Sequence, residues 1–366
     1  MNTITVETLR TWLEEGRPVT ILDVRPTTER VEWSIPGSLH RDAYYALKRD
    51  PEALTSIELS ENAPVVTVCA AGETSRIAAE QLAARGIQAL SLEGGMKAWS
   101  LAWNIAQVPV QESRARVIQV RRTGKGCLSY LIGKGEEAIV IDASLDPQVY
   151  LDLAQAQGWQ ITSVLDTHIH ADHLSRSRQL AQASGATLFL PDQQRVSFPF
   201  TVICDGDTPV TSDISLTALH TPGHTAESTC YLLNNRVLFT GDTLFPTGVG
   251  YPDLGTDEHE ARARASVLYH SLHKLLALPS ETLVLPGHTS TPVVFDGIPI
   301  VATLAEIDEQ VGIIHATHEV FVQMILRRLP STSFNSERIV KLNEMGMVPE
   351  DDGTEREAGA NPCAIS

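Results

Sequence analysis

At 366 residues the chain is longer than one ordinary domain, and about one domain per ~150 residues gives two, each able to bury its own core. Its 43% apolar and 20% charged residues match soluble globular proteins, and no apolar run reaches the ~18 residues of a membrane helix. A net charge of −17 opposes the basic surfaces that bind nucleic acid and anionic membranes, so neither is an expected partner.

The opening MNTITVETLRTWLEEG lacks the basic, apolar and small-residue succession of a secretory signal, and the expected location is cytoplasmic. From residue 1 to 106, short β-branched runs (VTILDV, APVVTVC, IQALSL) alternate with the helical TSRIAAEQLAARG. This alternation predicts an α/β domain, a parallel sheet flanked by helices. Proline and polar residues over 107–114 predict a linker. From 115 to 300, strands RVIQV, CLSYLIG, EAIVID and ITSVLDTH with two helices precede ATLFL, FTVIC, ISLTALH, STCYLL, RVLFTGD, a helix over 259–276 and the strand TLVLP. Two such strand-rich halves predict two packed sheets with helices outside. Residues 301–366 read as a helical C-terminal extension and tail, whose last ~15 residues are expected to fray.

Five cysteines, at 69, 127, 204, 230 and 363, are odd in number, scattered and without a CxxC pair. They read as thiols in a reducing compartment. The ending CAIS matches a prenylation box, but acidic residues precede it where lipid-anchored proteins carry basic ones. Cys363 is either a mobile thiol or tucked beside a site.

Cys69 stands directly after an apolar strand and before an amphipathic helix. Backbone N–H groups of the tight loop Ala70, Ala71, Gly72, Glu73, Thr74 and Ser75, the helix dipole and Arg76 can together stabilise an anionic sulfur there. The alternative is a buried strand-end cysteine. Four ordered motifs, ILDVRP, WSIPGSLH, CAAGETSR and LEGGMKAW, resemble the rhodanese family over residues 1–104. The resemblance implies that Cys69 carries a sulfane sulfur as a persulfide and that Asp23 and Arg25 support the active loop. Glu73 and Thr74 stand where many thiosulfate-using members place a basic residue.

The segment LDTHIHADHLS supplies His168, His170, Asp172 and His173 at a strand end, with His168 and His170 leaving on one side. HTPGHT adds His224, FTGDTLF adds Asp242 and LPGHTS adds His288, each after an apolar strand and beside glycine. Imidazole and carboxylate donors suit zinc, iron or manganese. His40, His220, His259, His270, His273, His315 and His318 lack this context, His220 being the member best placed to support the site.

HxHxDH and the later ligands resemble the metallo-β-lactamase fold, αββα, over residues 115 to about 295. For its hydrolases the resemblance implies two Zn(II): His168, His170 and His224 on one, Asp172, His173 and His288 on the other, Asp242 between. For its persulfide dioxygenases it implies one Fe(II) per chain on His168, His224 and Asp242, with His170, Asp172, His173 and His288 around them. A sulfur-carrying domain beside this one tips the expectation to an Fe(II) enzyme. It would oxidise a low-molecular-weight persulfide, glutathione persulfide foremost, to sulfite and thiol with O2, with Cys69 transferring sulfur to or from thiosulfate. A glyoxalase II-like thioester hydrolase and a non-catalytic sulfur-responsive module stand as alternatives, and a homo-oligomer is left open. Relatives of the dioxygenase type carry a GRTD-like segment near the aspartate, whereas GVGYPDL has Tyr251 there, a candidate for the substrate pocket.

Overall fold

The computed structural model describes residues 2–59, 62–110, 115–208, 214–252, 258–329, 335–349 and 354–357. Cys363 and Asp253 lie outside them. The first domain holds a five-stranded, wholly parallel sheet in the order Thr3–Ile4, Ala89–Leu92, Val65–Val68, Thr20–Asp23, Leu39–His40. Strands joined by crossover helices need cover on both faces. Accordingly Val65 packs with Ala78, Ala79 and Leu82 of the helix Glu73–Ala84, while Val66 and Val68 pack with Leu9 and Trp99 on the opposite face.

The second domain stacks a seven-stranded mixed sheet on a five-stranded one. Between them lie Tyr130, Ile132, Ile139, Ile141 and Leu165 of the first sheet and Leu216, Tyr231, Leu233, Phe239 and Leu285 of the second. Strands Thr229–Leu233 and Val237–Gly241 are buried throughout because helices cover the far face as well. Helices Pro147–Ala156 and Ser177–Ser184 cover the first sheet, where Tyr150, Ala154 and Leu180 join its core. Glu258–Leu276, Leu304–Gln310 and His318–Arg327 cover the second. Each large aliphatic side chain buried in these layers contributes roughly 1.5–3 kcal/mol. The result is the four-layer αββα order expected from the pattern.

Residues 104–108, which straddle the expected boundary, form a strand antiparallel to Arg116–Arg121 at the edge of the seven-stranded sheet. The two domains are tied at that point. Arg122 Nε donates to Ser100 O at 2.7 Å, Gly124 N to Ala102 O at 3.2 Å, and the rings of Trp99 and Phe295 lie 6.1 Å apart. The expectation of a frayed end is corrected at Glu357, which is fully buried because two arginines and a backbone N–H receive its carboxylate. No described helix is long and apolar enough to cross a membrane.

Candidate functional site

Val65–Val68 delivers Cys69 to the start of the loop as a buried side chain. Gly72, at φ 93, turns the chain so that its N–H donates to Cys69 Sγ at 3.1 Å, and Ser75 Oγ donates at 3.4 Å. Thr74 and Ser75 are buried, whereas Ala71, Glu73 and Arg76 are exposed. Ser75 is held by Ser91 Oγ at 2.9 Å, and Thr67 Oγ1 donates to Ser75 O at 2.7 Å. The carbonyls of Cys69 and Ala70 accept from Met96 N and Lys97 N at 2.8 and 3.0 Å. Gly95 makes that approach possible, since a Cβ there would collide with Cys69 O. A sulfur so placed faces N–H and O–H donors, a setting that stabilises a thiolate or persulfide anion.

Asp23 and Arg25 form a buried pair, Nη2 to Oδ2 at 2.7 Å. Their bonds run to Trp33 O at 2.6 Å and to Arg30 Nη1 at 3.2 Å, in the crossover after the strand. The side chains at a strand end meet their own connection first, so this pair supports the 29–33 segment, and the loop 70–76 leans on Ser91 and Gly95. Burial opposes charge on Asp23, yet the Arg25 hydrogen bond and charge hold its carboxyl below the usual range.

In the second domain the strand ends Leu165, Gly241 and Pro286 bring the HxHxDH segment, Asp242 and His288 to one edge. His168, His224 and Asp242 each offer one ligand atom within 4.8 Å of the others. Asp242 Oδ2 lies 3.7 Å from His168 Nε2 and 3.5 Å from His224 Nε2. The far nitrogens are fixed: His168 Nδ1 bonds Thr167 Oγ1 at 2.9 Å, and His224 Nδ1 donates to Tyr251 O at 2.7 Å. Burial and the neighbouring His170 charge hold the His168 imidazole well below its usual range, so it is neutral. Burial opposes charge on Asp242, but the charge and hydrogen bond of His288 outweigh it and keep the carboxylate ionised. Gly287 leaves room for it, since a Cβ there would come within 2.7 Å of Asp242 Oδ1.

The remaining members surround that triad. His170 Nε2 turns to Asp142 Oδ1 at 3.2 Å; burial opposes its charge, but Asp142 lifts the imidazole to about 10. His173 Nδ1 donates to Asp172 Oδ1 at 3.0 Å, and Cys127 Sγ donates to Asp172 Oδ2 at 3.4 Å. His288 Nδ1 donates to Asp242 Oδ1 at 2.8 Å. Three buried nitrogens, Nε2 of His168, His173 and His288, lack a hydrogen-bond partner. Leaving such an atom unmatched costs roughly 1–3 kcal/mol, and a metal held by His168, His224 and Asp242 would remove that cost for His168. Two imidazoles and one carboxylate, with no sulfur, fit iron, zinc or manganese.

Tyr251 is buried and reaches the triad through its carbonyl, with its ring centre 6.3 Å from that of His224. His220 lies outside the cluster; it is exposed and its Nε2 bonds Ala226 O at 3.0 Å. Cys127, Asp142 and Asp166 stand in ligand-type groups beside the site and were passed over by the sequence reading. Asp142 had a signal, an apolar strand ending in aspartate as in FTGD. Cys127 had none, because a β-bridge to His288 is what carries it to Asp172.

Fold and site together define a rhodanese-like domain followed by a metallo-β-lactamase-fold domain. The profile of the rhodanese-like domain matches residues 5–102, and that of the metallo-beta-lactamase superfamily matches residues 122–288. A hydroxyacylglutathione hydrolase of Rhizobium johnstonii is 34% identical over 154 residues, 41% of this chain and 57% of that protein. The chain thus spans less than two thirds of the curated relative's length. Among crystal structures, a metallo-beta-lactamase from Staphylococcus aureus subsp. aureus COL is similar at a TM-score of 0.60 and 26% identity, covering 64% of this chain and 74% of that one. ETHE1 from Myxococcus xanthus is similar at 0.53 and 28% identity, covering 66% and 98%.

Proposed function

We propose that the chain is an Fe(II)-dependent persulfide dioxygenase with a rhodanese-type sulfurtransferase domain, acting on a low-molecular-weight persulfide, glutathione persulfide foremost. The observation that carries this reading is that His168, His224 and Asp242 bring one ligand atom each within 4.8 Å of one another as a group of two imidazoles and one carboxylate. It matches a two-histidine, one-carboxylate site with open positions. His168, His224 and Asp242 would hold Fe(II), which would supply the redox chemistry for oxidising a persulfide with O2.

The chain's own groups set the site up. Tyr251 O keeps the His224 proton on Nδ1, and Thr167 Oγ1 orients His168, so both Nε2 atoms face Asp242. His288 keeps one carboxylate oxygen occupied, leaving Oδ2 for a ligand role. The net reaction joins RSSH, one O2 and one water and releases RSH and sulfite with two protons; the sulfane sulfur is oxidised and O2 is reduced. In the first domain, the Cys69 thiolate attacks the outer sulfur of thiosulfate, an S–S bond forms to Cys69, and sulfite leaves. Run backwards, the same step consumes sulfite and persulfide.

Anaerobic purification with metal analysis, followed by O2 uptake with glutathione persulfide, tests the reading. About one iron per chain and rapid uptake are expected. Two zincs and no uptake would sink it. The similarity to hydroxyacylglutathione hydrolases favours a second reading, a dinuclear hydrolase releasing thiol from S-acylglutathione without O2.

A further inference from the structure

His288 reaches the metal centre on a short ladder. Gly126, Cys127 and Leu128 run antiparallel to Gly287, His288 and Thr289: Leu128 N donates to Gly287 O at 2.8 Å, Thr289 N donates to Gly126 O at 2.9 Å, and Cys127 faces His288 in a β-bridge. One side of the ladder presents His288 to Asp242 at 2.8 Å, and the other presents Cys127 to Asp172 at 3.4 Å. The ladder joins the start of Leu128–Lys134 in one sheet to the end of Leu283–Pro286 in the other, and His288 itself lies beyond the last residue of its strand. Two short strands are marginal by themselves, so what packs on them decides how firmly they stand.

A side chain of the first domain packs there. Gly126 has φ 91, and a Cβ on it would come within 3.0 Å of Trp33 Cη2 and 2.4 Å of Thr289 O, so the tip of the indole adjoins both sides of the ladder. Trp33 is 3% exposed and shares the first domain's core with Ile35, Val66 and Trp99. Its carbonyl accepts from Arg25 Nη2 at 2.6 Å, so the buried Asp23–Arg25 pair fixes the backbone from which the ring projects. The chain beyond Thr289 is held to the same domain, where Phe295 packs against that core.

We propose that Trp33 is a positioning residue of the metal centre: through Gly126 and Thr289 the first domain holds His288, and His288 holds the Asp242 carboxylate. The contact is packing of a ring on backbone, which transmits position and carries no chemistry. The sulfur chemistry of Cys69 and the metal chemistry stay separate, while the scaffold of the metal centre is shared between the domains. The inference rests on the one-metal part of the proposed function, in which His288 orients the carboxylate, and is independent of the persulfide reaction.

Iron affinity of the full-length protein tests it, by anaerobic Fe(II) titration against a competing chelator. Trp33→Phe keeps an aromatic ring in the first domain's core but is too short to reach Gly126, and it is expected to weaken Fe(II) binding about 10-fold. Trp33→Leu, which also stops short, should reproduce the loss. In a His288→Gln background Trp33→Phe should have no further effect, because the two residues act in series. Leu9→Ala, in the same core but on helix Val6–Glu14, should lower the melting temperature and leave iron affinity unchanged. Unchanged affinity in both Trp33 variants, an equal loss in the His288→Gln background, or a loss in Leu9→Ala as large as in Trp33→Phe overturns the proposal. Metal count and O2 uptake read the dioxygenase assignment separately. One iron with full uptake and unaltered affinity in Trp33→Phe sinks only this inference, whereas two zincs without uptake sink that assignment.

Discussion

His288 Nδ1 lies 2.8 Å from Asp242 Oδ1, while Asp242 Oδ2 faces His224 and His168 at 3.5 and 3.7 Å. One carboxylate is thereby divided, one oxygen oriented by His288 and the other offered to the triad. On the one-metal reading His288 orients the carboxylate, and on the two-metal reading it is itself a ligand. His288→Gln is expected to lower iron affinity or O2 uptake roughly 10–100-fold, the usual loss for a partner that orients a ligand, while about one iron still loads at saturating metal. His224→Ala and Asp242→Ala are expected to lose the iron itself. Metal analysis of the three variants checks this; a His288→Gln variant that drops from two metals to one would mean that His288 is itself a ligand.

Cys69 Sγ takes hydrogen bonds from Gly72 N and Ser75 Oγ inside the first domain. The two chemistries therefore divide by domain. Cys69→Ser is expected to abolish sulfur transfer from thiosulfate and to leave O2 uptake with preformed glutathione persulfide unchanged. Both rates measured on one preparation check the division, and parallel loss would contradict it.

Gly95 has φ 57, and a Cβ added to it would meet Cys69 O and come within 2.8 Å of Gly72 N. These are backbone atoms of the loop that carries the sulfur, and they cannot rotate away. Gly95→Ala is expected to cost on the order of 1–3 kcal/mol of stability and about 100-fold in sulfur transfer, as the loop is displaced. Gly86→Ala is the control: φ is 81, but nothing lies within 4 Å of its Cβ. It should carry the backbone strain without the loss of transfer.

What was legible in the sequence follows from how local each signal is. HxHxDH and CAAGETSR lie within single turns at strand ends, so residue type and spacing carried them. The αββα order was readable because strands such as Thr229–Leu233 are apolar on both faces and are separated by helical periods. Asp142 reaches His170 across 28 residues, and Cys127 reaches Asp172 across 45. Pairings of that span depend on sheet register, which no local pattern encodes. Glu357 was hidden for the opposite reason. Its acidic, glycine-containing surroundings look solvated, and its burial is decided by two arginines more than 180 residues away.

Those arginines also set how the protein responds to acid. Burial opposes charge on Glu357, but Arg122 and Arg176 outweigh it and hold the carboxyl down at about 2, against 4.5 in the unfolded chain. A group lowered on folding contributes its stability above the unfolded value and loses it as pH falls towards the folded one. The contribution is on the order of 3 kcal/mol, present at neutral pH and lost between about pH 4.5 and about pH 2. Asp23 loses its own contribution in the acid range as well, so the total slope alone does not isolate Glu357. Comparison with Glu357→Gln does. The variant is expected to be less stable at pH 7 and to converge with the parent near pH 2, its acid slope smaller by about one proton per molecule. Urea unfolding at a series of pH values checks this. Equal slopes in the two proteins would mean that the carboxylate is not held by the arginines in solution.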